Sequence, residues 1–121
     1  MTRRICIIGA GPSGITALKN LLDEGLDVTV FDRNQEVGGN WIFSEEESHS
    51  SVFETTHIIS SKTLSQYADF PFDEFDPDVP DYPSHVHLRN YFQAYARKFD
   101  LYPHIQFDTL VKHCQRIDDQ S

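Results

Sequence analysis

The chain has little cysteine and no long apolar run. Its cysteines are Cys6 and Cys114, too few for the disulfide framework that stabilises small secreted domains. No segment approaches the ~20 consecutive apolar residues that a membrane-spanning helix requires. We therefore expect no membrane segment in this chain, and we expect Cys6, inside the first apolar run, to be a small buried side chain.

Basic residues are also scarce, because 10 lysines and arginines stand against 19 aspartates and glutamates, a formal net charge of −9. So acidic a chain is a poor partner for nucleic-acid backbones and for anionic membrane surfaces. A neutral or cationic small-molecule substrate stays open, since one pocket can differ in charge from the whole surface. The 121 residues are enough for one domain and too few for two.

The N-terminus superficially resembles a signal peptide, with Arg3 and Arg4 before an apolar run that ends at Ile8. Gly9 and Gly11 interrupt that run far short of a signal-peptide core, and no small-residue cleavage site follows a proper core. A buried first strand explains the run better, and we expect the protein in the cytoplasm.

Residues 1–32 predict a strand, a helix and a second strand. The β-branched run at 4–8 predicts a buried strand. Apolar residues spaced three and four apart over 13–24 predict a helix, and Gly25 follows where a left-handed helix end is expected. Residues 26–32 predict the second strand. A strand, helix and strand within about thirty residues form a parallel βαβ unit, so we predict an α/β fold with a parallel sheet.

The turn between the first strand and the helix carries a G-x-G-x-x-G pattern, made of Gly9, Ala10, Gly11, Pro12, Ser13 and Gly14. In this context the pattern is typical of Rossmann-type dinucleotide-binding domains. Gly9 allows the sharp turn, Gly11 lets the backbone approach a pyrophosphate, and Gly14 lets the helix pack closely on the strands. The helix N-terminus then directs free amides and its positive dipole end at the phosphates.

Asp32 closes the second strand, at the place where an acidic side chain accepts hydrogen bonds from ribose hydroxyls. The same carboxylate would repel a 2′-phosphate, so this site should not prefer NADP. The alternative is an ordinary tight strand–helix turn without a ligand, which the position of Asp32 disfavours.

The rest of the chain predicts one further long helix and several shorter elements. Ser84 is the expected N-cap of the helix. Its apolar stripe belongs to the core and consists of Leu88, Tyr91, Phe92, Tyr95, Ala96 and Phe99. Short strands are expected at 56–60, 105–107 and 110–111, an ordered irregular crossing at 69–84, a solvated excursion at 44–51 and a final turn at 118–121.

Two groups of residues have some resemblance to metal ligands, and the sequence favours neither as a site. His85 and His87 are two positions apart, which on a helix places them on different faces. The aspartates at 73, 76, 78 and 81 lack the glycine and glutamate of a calcium loop. No Gly-x-Ser-x-Gly elbow and no Ser-His-Asp arrangement in register is present in the sequence. We therefore assign no metal site and no catalytic residue.

Beyond Asp32 the chain reads Gly38-Gly39-Asn40-Trp41, and a glycine pair soon after an acidic residue is typical of FAD-binding rather than NAD-binding Rossmann domains. Ser61-Lys62 follows, then the Asp-Phe-Pro segment within 67–72 and the pattern over 91–107. In combination and order, these segments resemble the flavin-containing monooxygenases. The resemblance covers nearly the whole chain.

The resemblance implies that residues 1–121 are the N-terminal part of a Rossmann-type FAD-binding domain. Members of the family reduce bound FAD with NADPH and form a C4a-hydroperoxyflavin with molecular oxygen. One oxygen atom then passes to a soft nitrogen or sulfur nucleophile of a small-molecule substrate. Residues 9–14 and Asp32 would hold the ADP portion, and Gly39, Asn40 and Trp41 would lie near the pyrophosphate and ribityl chain. Arg33 and Ser60 are expected as further cofactor-binding residues. For Trp41, plain packing is the alternative.

Two departures from the family pattern bear on activity. Ile59 stands where many members have an asparagine beside the flavin, and isoleucine cannot hydrogen-bond the flavin or an intermediate. An oxidase-like or uncoupled activity would fit this change, with His57 as a hypothetical source of the missing polar group. The second glycine motif, which binds NADPH, and the segment that completes the FAD domain are absent from these residues. We therefore expect an inactive, marginally stable chain with an uncovered sheet face.

Three alternatives stay open from the sequence. The first is another two-dinucleotide flavoprotein, a reductase or an oxidase. The second is a plain NAD-binding dehydrogenase domain, against which the Gly-Gly-Asn-Trp segment argues. The third is a non-catalytic FAD-binding fragment. The residues specify neither the substrate nor the oligomeric state.

Overall fold

A computed structural model of the chain describes residues 3–43 and 52–117, so the segments predicted as an excursion at 44–51 and a turn at 118–121 lie outside the described residues. In chain order the elements are β1 (Arg4–Ile8), α1 (Pro12–Asp23), β2 (Asp27–Phe31), a 3₁₀ turn (Gly39–Trp41), α2 (Lys62–Ser65), α3 (Phe72–Phe75), α4 (His85–Lys98), a second 3₁₀ turn (Tyr102–His104) and β3 (Ile105–Gln106). Among the helices of these two ranges, none has the length and apolar character needed to cross a bilayer.

The three strands form one parallel sheet in the order β1–β2–β3. Ile5 of β1 lies opposite Val28 of β2, and Val30 of β2 lies opposite Ile105 of β3. Parallel neighbours need a crossover connection, which α1 supplies between β1 and β2. The predicted α/β fold with a βαβ start is confirmed, and the strand predicted at 105–107 is one residue shorter than expected.

One face of this sheet packs against α1. Val28 and Val30 are buried there, and Ile15 and Leu18 on the facing side of α1 are fully buried in the same core. Their spacing of three along α1 places both side chains on one stripe of the helix. This packing fixes the start of α1 at the carboxyl end of β1.

The other face of β1 is open, which corrects one expectation. Cys6 is exposed, and Ile8 is 60% exposed to solvent. The prediction that Cys6 is buried is wrong because alternation along the strand turns Cys6 to the face away from α1, and the described part of the chain leaves that face uncovered. Cys6 shares its face with Ile8, whereas Ile5 and Ile7 pack against the core. The uncovered sheet face expected from the sequence is therefore present.

α4 begins where the sequence predicts, because Ser84 caps it. The Ser84 side chain accepts a hydrogen bond from the His87 amide, and the Ser84 amide donates to His87 Nδ1 at 3.2 Å. His85 is directed elsewhere and bonds the Glu54 carbonyl through Nε2 at 2.8 Å. His87 is thus a capping residue. The buried stripe of α4 contains Leu88, Tyr91, Phe92, Tyr95 and Ala96.

Tyr91, on this stripe, holds the irregular crossing against α4. Its hydroxyl donates to the Phe70 carbonyl at 2.5 Å and accepts from the Tyr67 amide at 2.8 Å. Its ring stacks on Phe72 with 4.0 Å between centroids. Aromatic rings therefore take the place of regular strands in fixing this segment, as the apolar anchors in its sequence suggest.

Two of the predicted strands are wrong. The segment 56–60 makes only a single bridge, between His57 and Ser84, because its partner contains Pro83, which has no amide to donate, and then enters α4. The segment 110–111 leaves the sheet because Asp108 turns the chain with a left-handed φ of 52°. Thr109 then donates to the Asp32 carbonyl at 2.8 Å, which carries the backbone across the end of β2.

Tyr91→Phe is expected to lower the free energy of unfolding by about 1–3 kcal/mol, because a buried amide and carbonyl each lose a partner. Burial also raises the pKa of Tyr91 from 10.0 to about 12. A raised pKa in the folded state adds stability that is complete below pH 10 and is lost as the pH rises through about 12. Urea unfolding between about pH 9 and 12 should therefore show a steeper loss for the wild type than for Tyr91→Phe. Parallel losses would contradict this assignment.

Candidate dinucleotide-binding site

The glycine turn after β1 requires glycine at two of its positions, at one for its backbone conformation and at the other for space. Gly9 adopts a φ of 101°, and its amide donates to the Phe31 carbonyl at 2.8 Å, which joins the ends of β1 and β2. A Cβ on Gly14 would lie 1.9 Å from the Gly9 carbonyl oxygen. The first turn of α1 therefore packs directly on the turn that precedes it, as the spacing of the pattern predicts.

The N-terminus of α1 is an open set of donors. Its N-cap is Gly11, which has no side chain to accept from the first-turn amides, and Pro12 at the first position has no amide. The amides of Ser13 and Gly14 are therefore left to a ligand or solvent. No acidic side chain occupies this first turn, so the positive end of the helix dipole is not neutralised there. An anion is the group that this arrangement favours.

Asp32 ties the glycine turn to the end of β2. The carboxylate is 5% exposed, and its Oδ2 accepts from the Ala10 amide at 2.6 Å while Oδ1 accepts from the Asn34 amide at 2.8 Å. Bonds from amides to a carboxylate are stronger than bonds between neutral groups. A carboxylate has about four acceptor positions, so two remain for hydroxyl donors of a ligand.

A second glycine turn lies against the first. Gly38 and Gly39 have φ values of 145° and 56°, and the Gly38 amide donates to the Ala10 carbonyl at 3.2 Å. A Cβ on Gly39 would lie 2.9 Å from the Gly11 Cα. The two turns can approach this closely only because Gly39 has no side chain at the contact.

Hydrogen bonds to Glu36 hold the segment before this second turn in place. Tyr102 donates its hydroxyl proton to Glu36 Oε1 at 2.5 Å, and the same oxygen accepts from the Val37 amide at 2.9 Å. Burial, and then the hydrogen bond to Glu36, raise the pKa of Tyr102 above its usual range, so the hydroxyl stays a donor at neutral pH. Two sets of hydrogen bonds therefore hold the second glycine turn in position: Gly38 bonds Ala10, and Val37 just before it bonds Glu36, which Tyr102 holds.

Two adjoining clefts lie beside the contact between the two glycine turns. The strand-end cleft has a volume of about 320 Å³ and is lined by Ile8, Gly9, Gly11, Phe31, Asp32, Arg33, Asn34, Gly39, Asn40, Thr109, Leu110 and Val111. The helix-start cleft, of about 380 Å³, continues from it over Pro12, Ser13 and Gly14 to Trp41. Because both are lined by Gly11 and Gly39, they form one groove across the carboxyl end of the sheet, where ligands bind in open α/β folds.

A third, more apolar cavity adjoins the groove at Trp41. This Trp41 cleft has a volume of about 330 Å³ and is lined by Trp41, His57, Ile58, Ile59, Ser60, Ser65, Leu88 and Phe92. Ile59 is fully exposed at this cleft, and Ser60 Oγ lies 2.5 Å from Ser65 Oγ. His57 Nδ1 lies 2.8 Å from the Thr55 carbonyl, so it is the protonated nitrogen and Nε2 is available as an acceptor in the neutral ring.

The structure brings most of the predicted site residues into the groove. Ala10 is the exception along the glycine turn, because it is fully buried beneath the groove and contributes its amide to Asp32. Ser60 lies in the Trp41 cleft rather than in the groove itself. The predictions missed the wall formed by Thr109, Leu110 and Val111, which no motif marks and which the turn at Asp108 places there.

The fold and the groove together define a Rossmann-type dinucleotide-binding domain: a parallel βαβ unit, a glycine turn at a helix N-terminus and an acidic residue closing the second strand. Residues 2–121 match the family described as flavin-binding monooxygenase-like. The chain therefore belongs to this family.

Curated relatives agree with this membership. Flavin-containing monooxygenase 1 of Homo sapiens is 40% identical over 123 residues, which covers 100% of this chain and 23% of the relative. Dimethylaniline monooxygenase 2 (N-oxide-forming) of Rattus norvegicus is 40% identical over 113 residues, covering 92% of this chain and 21% of the relative. The chain thus spans about a fifth to a quarter of the length of these relatives.

Solved structures share the fold. S-allyl-L-cysteine S-oxygenase from Allium sativum matches with a TM-score of 0.77 and 24% identity over 89% of this chain and 28% of that chain. An ε-caprolactone-bound cyclohexanone monooxygenase matches with a TM-score of 0.80 and 24% identity over 98% of this chain and 22% of that chain. At this level of identity the similarity shows the architecture of the domain.

Gly39→Ala is expected to destabilise the chain more than Gly25→Ala, its matched control. Both glycines have positive φ, 56° and 77°, so each alanine introduces about 1 kcal/mol of backbone strain. Only at Gly39 would the new Cβ meet backbone, at 2.9 Å, whereas at Gly25 nothing lies within 4 Å. Urea unfolding should show an additional loss of about 1–3 kcal/mol for Gly39→Ala. Equal losses would mean that the two glycine turns are not held in contact in solution.

Proposed function

We propose that residues 1–121 are the N-terminal part of an FAD-binding domain, in a flavin monooxygenase that uses NADPH and oxygenates soft nitrogen or sulfur nucleophiles. The observation that carries the proposal is the contact of the two glycine turns above the start of α1, beside the Asp32 carboxylate. That contact produces a groove that continues from Asp32 to Trp41.

The groove residues fit the parts of FAD in order along its length. Asp32 has acceptor positions left for ribose hydroxyls, and Leu110 and Val111 offer apolar surface to an adenine ring in the same cleft. The amides of Ser13 and Gly14 suit the pyrophosphate, and Gly11 presents no Cβ to obstruct its approach. Arg33, next to Asp32, lines the strand-end cleft and adds a positive charge near the anionic ligand.

The other end of the groove fits the ribityl chain and flavin. Asn40 lines both clefts of the groove, and Trp41 separates the groove from the Trp41 cleft. The apolar lining of that cleft, from Leu88 and Phe92 of α4, suits a planar ring system. Ser60 lies in the same cleft and is proposed as a polar contact of the cofactor.

FAD, once reduced by NADPH, supplies the oxygen-activating chemistry. The residues of this chain bind the cofactor, orient it and keep water from its apolar end. The names of relatives support this reaction class, since one forms N-oxides and another is an S-oxygenase. A structural neighbour solved with FAD and NADP, and another bound to NADP, support the pair of cofactors. We propose that NADPH, the small-molecule substrate and oxygen reach the flavin through other parts of the protein, in the cytoplasm.

Ile59 favours a second candidate, an FAD-dependent oxidase or reductase without oxygen transfer. Its side chain is fully exposed at the Trp41 cleft and has no hydrogen-bonding group to offer a cofactor there. The His57 imidazole lines the same cleft and has a free acceptor nitrogen. Measuring substrate oxygenation against hydrogen peroxide release in the whole protein, before and after Ile59→Asn, separates the two candidates.

Saturable FAD binding by the 121-residue chain is the first expected outcome, measured through flavin fluorescence. Gly11→Ala should weaken it at least about 10-fold, or about 1.4 kcal/mol, because the methyl group obstructs the pyrophosphate. The fold should tolerate this change, since the new Cβ lies 3.5 Å from Gly39 Cα, an ordinary contact. Gly25→Ala, which follows the end of α1 opposite the groove and has open space around it, is the control and should bind FAD normally.

Competition distinguishes the proposed cofactor from its rivals. ADP should displace FAD, and ADP carrying a 2′-phosphate should do so more weakly because Asp32 repels the added charge. NAD should bind more weakly than FAD and should therefore displace FAD only at a large excess. If NAD binds more tightly than FAD, or if Gly11→Ala binds FAD as the wild type does, the FAD proposal is wrong.

A further inference from the structure

Tyr67, two residues before the irregular crossing, makes a hydrogen bond to the start of α1. Its hydroxyl donates to the Pro12 carbonyl at 2.5 Å, across 55 positions of sequence. Pro12 is the first residue of α1 and lines the helix-start cleft. The contact therefore reaches the start of α1 through a residue that is not among those lining the groove.

The Pro12 carbonyl and the Ser13 amide belong to one peptide group. The peptide is planar and trans, so fixing the direction of the oxygen also fixes the direction of the N–H, which points the opposite way. Pro12 has no amide, and the Ser13 amide is therefore the first donor that α1 can present at its N-terminus. A hydrogen bond to the carbonyl also polarises the N–H of the same peptide, which strengthens it as a donor.

Tyr67 is itself held in place on three sides. Its amide donates to the Tyr91 hydroxyl at 2.8 Å, and its carbonyl accepts from the Phe70 amide at 3.2 Å. Its ring packs on Tyr95 with 4.5 Å between centroids. Burial raises the pKa of Tyr67 above its usual range, so its hydroxyl keeps its proton and remains a donor at every physiological pH.

We propose that Tyr67 is a positioning residue of the dinucleotide site, which orients the Pro12–Ser13 peptide so that the Ser13 amide is aimed at a ligand phosphate. The proposal rests on the proposed binding of a dinucleotide in this groove. Tyr67 follows α2, which ends at Ser65 in the wall of the Trp41 cleft. The same residue therefore links the wall of that cleft to the phosphate-binding turn.

The chain offers a matched pair of variants that each remove one hydroxyl and keep the ring. Tyr67→Phe deletes the bond to Pro12 and preserves the packing on Tyr95. Tyr95→Phe deletes a hydroxyl that lies 3.4 Å from both Thr16 Oγ1 and Asp69 Oδ2 and makes no bond to the glycine turn. A general loss of packing or stability would affect both variants, whereas only Tyr67→Phe removes a hydrogen bond to the Pro12 carbonyl, leaving that oxygen its intrahelical bond.

The test combines amide NMR of the ligand-free chain with binding of ADP and of adenosine. For Tyr67→Phe we expect the Ser13 amide to shift and to exchange faster, and ADP affinity to fall about 3- to 10-fold, the range for one neutral hydrogen bond. Adenosine affinity should be unchanged because adenosine has no phosphate. Tyr95→Phe should leave the Ser13 amide and both affinities as in the wild type.

Each other outcome overturns the proposal. An unchanged Ser13 amide in Tyr67→Phe means that the hydroxyl does not orient that peptide. Equal losses of ADP and adenosine affinity mean that the effect is a general disturbance of the site. If the wild type binds neither FAD nor ADP, the proposed function fails, and the Ser13 amide still decides whether Tyr67 controls this turn.

Discussion

The close approach of two backbone turns governs this domain. Gly11 and Gly39 come so near each other that a Cβ on Gly39 would meet the Gly11 Cα at 2.9 Å, and Gly14 is pressed against Gly9 in the same way. An alanine at Gly39 or Gly14 would meet backbone and push these segments apart, whereas one at Gly11 would fit beside Gly39, at 3.5 Å from its Cα, and would only narrow the groove. The groove, the exposed amides of α1 and the position of Asp32 at its edge all depend on this absence of side chains.

Asp32 fixes the position of the glycine turn relative to the end of β2. Its carboxylate accepts from one amide in the glycine turn and from another just beyond β2, so the ends of the first two strands are joined through one buried charge. A buried carboxylate is costly unless its oxygens are hydrogen-bonded, and here both are. The residue that we propose to bind the ribose is thus also a structural tie, which connects stability at this edge of the sheet with ligand binding.

The aromatic cluster around α4 extends this connection to the other end of the groove. Tyr91 of α4 holds the irregular crossing and also bonds the amide of Tyr67, whose hydroxyl bonds Pro12. Leu88 and Phe92 of the same helix line the Trp41 cleft. One helix therefore supports both the glycine turn at the start of α1 and the apolar cleft. In contrast, β1 leaves Cys6 and Ile8 exposed on the face away from α1, in a chain that spans about a fifth to a quarter of its relatives' length.

The sequence by itself determined the elements whose causes are local. The β-branched run at 4–8, the glycine spacing and the helical repeat predicted β1, α1 and the turn between them, and the Ser84 cap marked the start of α4. Strand propensity, helix periodicity and capping all act within a few residues. Tertiary structure decided what depends on distant partners: the exposure of Cys6, the wall at 109–111 and the reach of Tyr67 to Pro12. Burial and long-range hydrogen bonds depend on which segments meet in space, and no local pattern records that meeting.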